Sequence, residues 1–133
     1  MKVILKWKNI GETNRLFGTR RCLYADVSPS TRRILYLGKA DRATVRERYY
    51  ARDKRKVWRR VPPMLLLLVG LPWVEDEVKF SWRLLHDIES LLIYEVQPFL
   101  NKMSKKSRIS RPGMKVFCQG NWPVHRKAFV DRG

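Results

Sequence analysis

One short segment constrains the fold of this chain more than any other. Residues 64–71 form its longest apolar stretch, which follows Pro62 and Pro63 and contains Gly70. This stretch is far shorter than the ~20 residues that cross a bilayer. A fully apolar run of six residues, 64–69, between proline and glycine predicts a buried central strand, with a buried helical turn as the alternative. We therefore expect a sheet at the centre of the fold.

Further strands are predicted from alternation and turn signals. Val3, Leu5 and Trp7 alternate with lysines, which indicates a short half-buried strand. The other predicted strands are 21–27 and 33–38, which form a hairpin across a turn at 28–31, and 114–118. Residues 9–19, 102–112 and 119–133 are predicted to be irregular.

Two helices are predicted beside these strands. Asp41 can cap the first helix, which would run to about Trp58 and stop before Pro62. The second would begin near the acidic residues 75–77, because negative charge favours a helix N-terminus, and end at about Val96. The predicted fold class is mixed α/β (α+β): a small antiparallel central sheet of three or more strands flanked by helices, within a single domain, 1–133.

The charge of the chain predicts a polyanionic partner. Its formal net charge is +17, which favours nucleic acid first and an anionic membrane second. Nine bases and two acids fall in 42–60, and nine bases and one acid in 102–133, whereas 61–101 is acidic. Two basic segments around an apolar centre predict a positively charged groove that binds the phosphate backbone of nucleic acid. A disordered basic tail is the alternative for 102–111. The candidate contacts are Arg42, Arg48, Arg52, Lys54, Arg55, Lys102, Lys105, Lys106 and Arg108.

The cysteines and the N-terminal pattern bear on the compartment. Residues 1–8 alternate rather than forming an apolar run, so no secretory signal is expected. Cys22 and Cys118 are too few for a disulfide framework, and no CxxC or HxxxH pairing supports a zinc site. We expect a reducing, cytoplasmic setting and no membrane association.

Glu89 has an unusual position in the second predicted helix. At roughly 100° per residue, the apolar residues of 82–96 share one broad arc, and Glu89 falls inside it. A carboxylate that faces a core costs several kcal/mol unless a metal, an arginine or protonation offsets its desolvation. Two alternatives stay open: a metal ligand, or a buried ion pair with an arginine of the first helix. On that first helix, Arg46 and Tyr50 are four residues apart and share a face.

Short motifs in a fixed order resemble the GIY-YIG nuclease family. The first is 22–24, which ends in Tyr24, and the second is 36–40, which opens with Tyr36. Gly38 matches the family glycine, whereas Cys22 stands where the family usually has glycine. The resemblance covers about residues 20–102.

The remaining family positions follow at matching intervals. Arg46 lies eight residues after the matched glycine and Tyr50 four residues later, as the family arginine and its His or Tyr do. Glu89, Pro98 and Asn101 keep the family order of glutamate, proline and asparagine. Within the family, this pattern is most similar to the incision domain of the bacterial excision-repair nuclease.

The resemblance implies a metal-dependent DNA endonuclease that leaves 5′-phosphate and 3′-hydroxyl ends. One Mg²⁺ (or Mn²⁺) ion would be held by Glu89, and Asn101 joins the candidate nucleic-acid contacts. Tyr24 would act as general base or water orienter, with Arg46 or Lys39 lowering its pKa. The implied catalytic residues are Tyr24, Tyr36, Lys39, Arg46, Tyr50 and Glu89.

The resemblance also implies a division of the chain and a set of partners. Residues 20–102 would be the nuclease core and 103–133 a basic C-terminal extension. The expected partner is duplex or branched DNA, with RNA possible, and monomer and homodimer both stay open. The alternative function is a non-catalytic basic nucleic-acid-binding protein, architectural or ribosome-associated, in which the strand tyrosines simply pack.

Overall fold

Strands and two α-helices make up the described part of the chain. The computed structural model describes residues 1–10, 15–52, 65–75, 78–102, 105 and 111–133. Its elements are β1 (Lys2–Ile10), a 3₁₀ turn (Arg15–Gly18), β2 (Cys22–Val27), β3 (Ile34–Ala40), α1 (Val45–Arg52), β4 (Leu66–Val74), α2 (Trp82–Val96), β5 (Lys115–Gly120) and β6 (Ala128–Val130). The predicted continuation of the first helix to about Trp58 lies outside these residues.

The strands form one sheet in the order β3-β2-β4-β1-β5-β6. The prediction of an antiparallel sheet is wrong at one pair, because β5 runs parallel to β1, with Lys115 opposite Lys2. All other neighbouring strands are antiparallel. The sheet is therefore mixed, and the mixed α+β class is confirmed. No described helix has the length and apolar character needed to span a membrane.

The predicted central strand is confirmed as β4, which lies between β2 and β1. It continues beyond its predicted end, through Gly70 to Val74. Gly70 pairs with Trp7 of β1, and a Cβ at Gly70 would lie 2.8 Å from the indole ring. Because Gly70 has no side chain, β4 can continue beneath the Trp7 ring and does not end at the glycine.

Both helices begin later than predicted, because hydroxyl groups and not acidic residues cap them. Thr44 Oγ1 accepts a hydrogen bond from Glu47 N at 3.1 Å, so α1 begins after Thr44 and not after Asp41. Ser81 Oγ accepts from Leu84 N at 3.1 Å at the start of α2. Side-chain oxygens of this kind satisfy the free N–H groups of a first turn.

The acidic residue predicted near the start of α2 has a different partner. Glu75 follows β4, and its carboxylate accepts a hydrogen bond from the backbone N–H of Lys2. It therefore ties the start of β1 to the end of β4. The predicted end of α2 at Val96 is confirmed.

The core lies on both faces of the sheet. On one face, α2 packs its apolar residues against β1, β2 and β5; these residues include Leu84, Leu85, Ile88, Leu91 and Leu92. On the other face, Phe17 of the 3₁₀ turn and Val45 of α1 pack with Tyr24 and Ala40. Every residue of β2 is buried, because this strand serves both faces.

Two polar residues of α2 are buried. Asp87 is 3% exposed and Ser90 1% exposed. Arg111 Nε donates a hydrogen bond to Asp87 Oδ2 at 2.6 Å, and this charged partner offsets the desolvation of the carboxylate. Helical periodicity in the sequence could not reveal this pair, since the arginine lies 24 residues away.

The C-terminal part of the chain belongs to the same sheet as the predicted core. Residues 119–133 were predicted to be irregular, which is wrong at β6, a three-residue strand antiparallel to β5. A strand of three residues is too short to give an alternating pattern. The described part of 103–133 thus contributes two strands, while its role as a nucleic-acid-binding extension stays a prediction.

Candidate active site

Two tyrosines from the β2–β3 hairpin form the first part of the site. Tyr24 pairs across the hairpin with Gly38, and a Cβ at Gly38 would lie 2.5 Å from Tyr24 Cζ. The phenol ring therefore lies directly over the glycine. The ring centroid of Tyr36 is 6.0 Å from that of Tyr24, and the two side chains are hydrogen-bonded.

The environment of Tyr24 keeps its hydroxyl protonated. Burial, first, and the neighbouring Tyr36, second, raise the pKa of Tyr24 well above its usual range, and Arg48 only partly opposes this rise. The expected lowering of this pKa by Arg46 or Lys39 is therefore wrong. Tyr24 suits the role of hydrogen-bond donor and orienter better than that of a phenolate base.

A lysine, a histidine and a glutamate form the second part of the site, where β3 meets α2. Lys39 Nζ lies 2.6 Å from His86 Nδ1 and 3.7 Å from Glu89 Oε1. His86 Nδ1 is 3.9 Å from the same carboxylate oxygen, one helical turn away. Among the side chains that the structure describes, Lys39 of β3 is the base paired with Glu89.

Burial and charge act in opposite directions on this cluster. Burial raises the pKa of Glu89, while Lys39 and then Arg48 pull it down. Burial, assisted by the charge of Lys39, lowers the pKa of His86, so its imidazole is neutral at physiological pH. The Glu89 side chain is 15% exposed, so it combines partial desolvation with access to solvent.

Arg48 links the two parts of the site electrostatically. Its positive charge partly offsets the raised pKa of Tyr24 and that of Glu89. Arg46, the arginine predicted from the family spacing, has its guanidinium carbon 5.8 Å from the ring centre of Tyr50 on the exposed surface of α1. Arg48 is exposed as well, and residues two apart on a helix point roughly 200° apart, so these two arginines lie on different sides of α1.

Tyr50 lies at the surface of α1, whereas Asn101 lies in a setting different from that predicted. Tyr50 is 44% exposed and packs edge-on against Phe17, 6.2 Å between centroids. Asn101 is buried, its Oδ1 accepting from Leu37 N and its Nδ2 donating to Leu37 O, both at 2.8 Å. Its amide thus holds the edge strand β3 instead of facing nucleic acid.

The remaining predicted nucleic-acid contacts divide by location. Arg42 and Lys102 are exposed and Lys105 is half-buried. Arg20 Nε donates to the carbonyl of Arg42 at 2.8 Å, which fixes the backbone just before α1. The predicted contacts at Lys54, Arg55, Lys106 and Arg108, and the side chain of Arg52, lie outside the described residues.

The donor set decides what kind of metal ion the site can take. Within the described ranges, no group of three or more His, Cys, Asp or Glu side chains could hold a metal ion. Burial, however, makes the negative charge of Glu89 costly, and a cation would offset that cost. The residues fit a hard ion that binds through one carboxylate and keeps most of its waters, as Mg²⁺ does.

Two residues beside the site had no catalytic role in the sequence-based prediction: His86, and Arg48, which was predicted only as a nucleic-acid contact. For His86 a signal existed, because its spacing of three residues from Glu89 places both on one helix face.

Comparison with other proteins leaves the family open. No family model, curated protein or solved structure matches this chain. The resemblance to GIY-YIG nucleases therefore stays a prediction that is based on the ordered motifs and on the geometry described above.

Proposed function

We propose that this chain is a metal-dependent DNA endonuclease of the GIY-YIG type. It would hydrolyse phosphodiester bonds to leave 5′-phosphate and 3′-hydroxyl ends. The observation that carries the proposal is the contact of Lys39, three residues after Tyr36 on β3, with Glu89 of α2, 3.7 Å between Nζ and Oε1. Cations and a partly desolvated carboxylate beside the strand that carries Tyr36 are suited to stabilising a pentacovalent phosphate.

Each residue would have a definite role. Arg48 would hold the non-bridging phosphate oxygens through its planar fork of donors. Tyr24 keeps its proton and fixes Tyr36, which is only half-buried and would orient the attacking water. Lys39, held by His86, would place a second positive charge beside the phosphate. Arg46 and Tyr50, on the exposed surface of α1, would contribute to binding and not to the chemistry.

Glu89 would hold one Mg²⁺ or Mn²⁺ ion. When bound, the ion supplies Lewis-acid stabilisation of the leaving 3′ oxygen. Because burial raises the pKa of Glu89, its carboxylate is fully ionised only above the ordinary glutamate range. Metal binding, and with it cleavage, should therefore weaken on mild acidification.

The proposed setting is the cytoplasm, with DNA, duplex or branched, as partner and RNA as a further substrate class to test. Cys22 and Cys118 are buried free thiols, and burial raises the pKa of both to about 12. Such thiols are inert and need no oxidising compartment. The net charge of +17 supports a nucleic-acid partner.

A nicking assay on plasmid and labelled oligonucleotides tests the proposal, with Mg²⁺, with Mn²⁺ and with EDTA. Glu89→Ala and Arg48→Ala should each lower the cleavage rate about 100-fold or more, the cost of removing an electrostatic stabiliser. Arg46→Ala is the matched comparison on the same helix: it should weaken DNA binding and keep most of the cleavage rate at saturating substrate.

Three results would count against the proposal. Cleavage that survives Glu89→Ala would remove the site assignment. Equal losses for Arg46→Ala and Arg48→Ala would remove the role given to Arg48. Tight DNA binding by the intact chain without metal-dependent cleavage would favour the non-catalytic nucleic-acid-binding alternative, which the same net charge supports.

A further inference from the structure

A groove separate from the candidate active site lies where the C-terminus of α2 meets the start of β3. Its volume is about 700 Å³, within the ~300–1,000 Å³ range of ligand pockets. Residues of the β2–β3 turn, the end of α2 and the segment before β6 line it; those that matter here are Arg32, Arg33, Glu95, Phe99, Lys105 and Arg126. None of the proposed catalytic residues lines this groove.

The groove is strongly basic. Its lining includes four bases and one acid, Glu95. That acid is already paired, because Arg126 Nη1 lies 3.1 Å from Glu95 Oε2. The same guanidinium lies 4.7 Å from the ring centre of Phe129, so this pair is held in place. Arg32, Arg33 and Lys105 then leave the groove with an excess of positive charge that suits an anion.

An exposed aromatic ring stands at the same place. Phe99 is 79% exposed, the most exposed large apolar residue among those described. Its position is fixed on the C-terminal side, because Leu100 N donates to Leu35 O of β3 at 2.8 Å. Gln97 Nε2 donates to the carbonyls of Tyr94 and Lys105, at 2.8 and 2.7 Å, and thus covers the negative end of the helix.

The groove and the candidate active site lie along the same two elements. His86 and Glu89 of α2 contact Lys39 near the end of β3. Glu95 and Gln97 of α2 line the groove with Ile34 and Leu35 at the start of β3. Lys39 lies four positions after Leu35, or ~13 Å at a strand rise of ~3.3 Å per residue. One extended strand could therefore reach both.

We infer that this groove binds an unpaired segment of nucleic acid, with a base stacked on Phe99 and the adjacent phosphates held by Arg32 and Arg33. An aromatic platform beside free guanidinium groups is the usual means of holding single strands. Duplex DNA keeps its bases stacked inside and would offer only phosphates to this groove. That the bound segment is part of the nuclease substrate, and so that the substrate is branched or frayed, depends on the proposed function.

Fluorescence anisotropy tests this inference, with fluorescein-labelled oligothymidine and a blunt duplex as probes. Phe99→Ala should weaken oligothymidine binding about tenfold, as the loss of one stacked base does, with little effect on duplex binding. Trp73→Ala is the matched control, a 48% exposed aromatic outside the groove, and it should leave the affinity unchanged.

The charged residues give a second, independent measurement. The double variant Arg32→Ala/Arg33→Ala should reduce the slope of log binding constant against log salt concentration by about 1.4. Each phosphate contact on a single strand contributes ~0.7 to that slope, and two contacts are lost. Phe99→Ala should leave that slope unchanged. Lys6→Ala/Lys8→Ala removes the same charge from exposed positions of β1 outside the groove, and it should change the slope less.

Several outcomes would overturn the inference. Unchanged oligothymidine binding in Phe99→Ala would do so, as would equal effects of the two double variants. Competition by polyglutamate without any effect of Phe99→Ala would indicate an acidic protein segment as the occupant. Thermal unfolding checks that each variant folds.

Failure of the groove and failure of the nuclease are separable. Glu89→Ala should abolish cleavage and keep oligothymidine binding. Phe99→Ala should lower cleavage of a flap substrate and not of nicked duplex. If the intact chain binds oligothymidine through Phe99 and cleaves no substrate, the groove proposal is supported and the nuclease proposal is contradicted.

Discussion

Gly38 shows how a residue without a side chain determines the position of one that the chemistry needs. The ring of Tyr24 occupies the space that a Cβ at Gly38 would fill, 2.6 Å from the phenol oxygen. Any other residue would push the ring away from Tyr36 or distort the hairpin. The family glycine therefore has a physical reason in this chain, which is contact across the strands and not a turn.

Glu89 is a residue whose charge works against stability. Its pKa in the folded chain is raised, mainly by burial, so the folded state binds more protons than the unfolded state between the two pKa values. Stability is therefore lost as the pH rises through the folded pKa. A carboxylate kept under these conditions is a candidate functional residue.

Glu89→Gln should therefore raise the melting temperature at neutral pH. The gain should shrink as the pH falls and vanish below the ordinary glutamate pKa of about 4.3, where both states are protonated. Thermal unfolding across this pH range measures it. The control is Glu95→Gln, which loses the partly exposed pair with Arg126 and should be neutral or slightly destabilised. A lower melting temperature for Glu89→Gln at neutral pH would show that the pair with Lys39 outweighs the burial.

The sequence predicts which residues could take part in a site more reliably than it predicts where their side chains point. Glu89 and Tyr24 were identified from pattern and motif, and the structure links both through Arg48. Arg46 was predicted by counting residues from Gly38, and counting does not show which face of a helix a residue occupies. That face follows from the packing of Val45 with Phe17 and Tyr24, which only the folded chain reveals.

Elements with strong periodicity were predicted well, and those set by distant contacts were not. The β2–β3 hairpin, the central β4 and the end of α2 follow from local signals and are confirmed. The parallel pairing of β5 with β1 has no local signal, because more than a hundred residues separate Lys2 from Lys115. The starts of both helices were misplaced because acidic residues and hydroxyl caps compete as signals.

Asn101 closes the exposed edge of β3. The oxygen and the nitrogen of its side-chain amide each form a hydrogen bond with the backbone of Leu37, a buried residue of β3. Edge strands need such cover, since their free N–H and C=O groups otherwise attract other chains. The asparagine therefore supports the site from behind, through the strand that carries Tyr36 and Lys39.

Asn101→Ala should lower the free energy of unfolding by about 2–4 kcal/mol, because two buried backbone groups lose their partners. Urea denaturation measures the change. Asn121→Ala, at an exposed position, is the matched control and should cost less than about 0.5 kcal/mol. Equal effects of the two substitutions would mean that water replaces the Asn101 amide at the strand edge.

At the scale of the whole molecule, β1 joins the strands of the predicted core to those of the C-terminal segment. It pairs with β4 on one side and with β5 on the other. Trp7 of β1 packs against Trp122, 5.0 Å between ring centroids, and over Gly70 of β4. The N-terminal and C-terminal segments, which match no part of the family core, therefore complete the sheet that holds the hairpin.

A fragment of residues 20–102 should consequently fail to fold. It would expose one edge of β4 and the face of α2 that packs on Val3, Leu5 and Val116, all of them fully buried in the intact chain. We expect no cooperative thermal transition by circular dichroism and no metal-dependent cleavage, while the full chain, measured in parallel, shows a single transition. A fragment that melts cooperatively and cuts DNA would mean that 20–102 is an independent core. The terminal strands would then be additions to that core, and the contact between Trp7 and Trp122 would be the remaining evidence for their structural role.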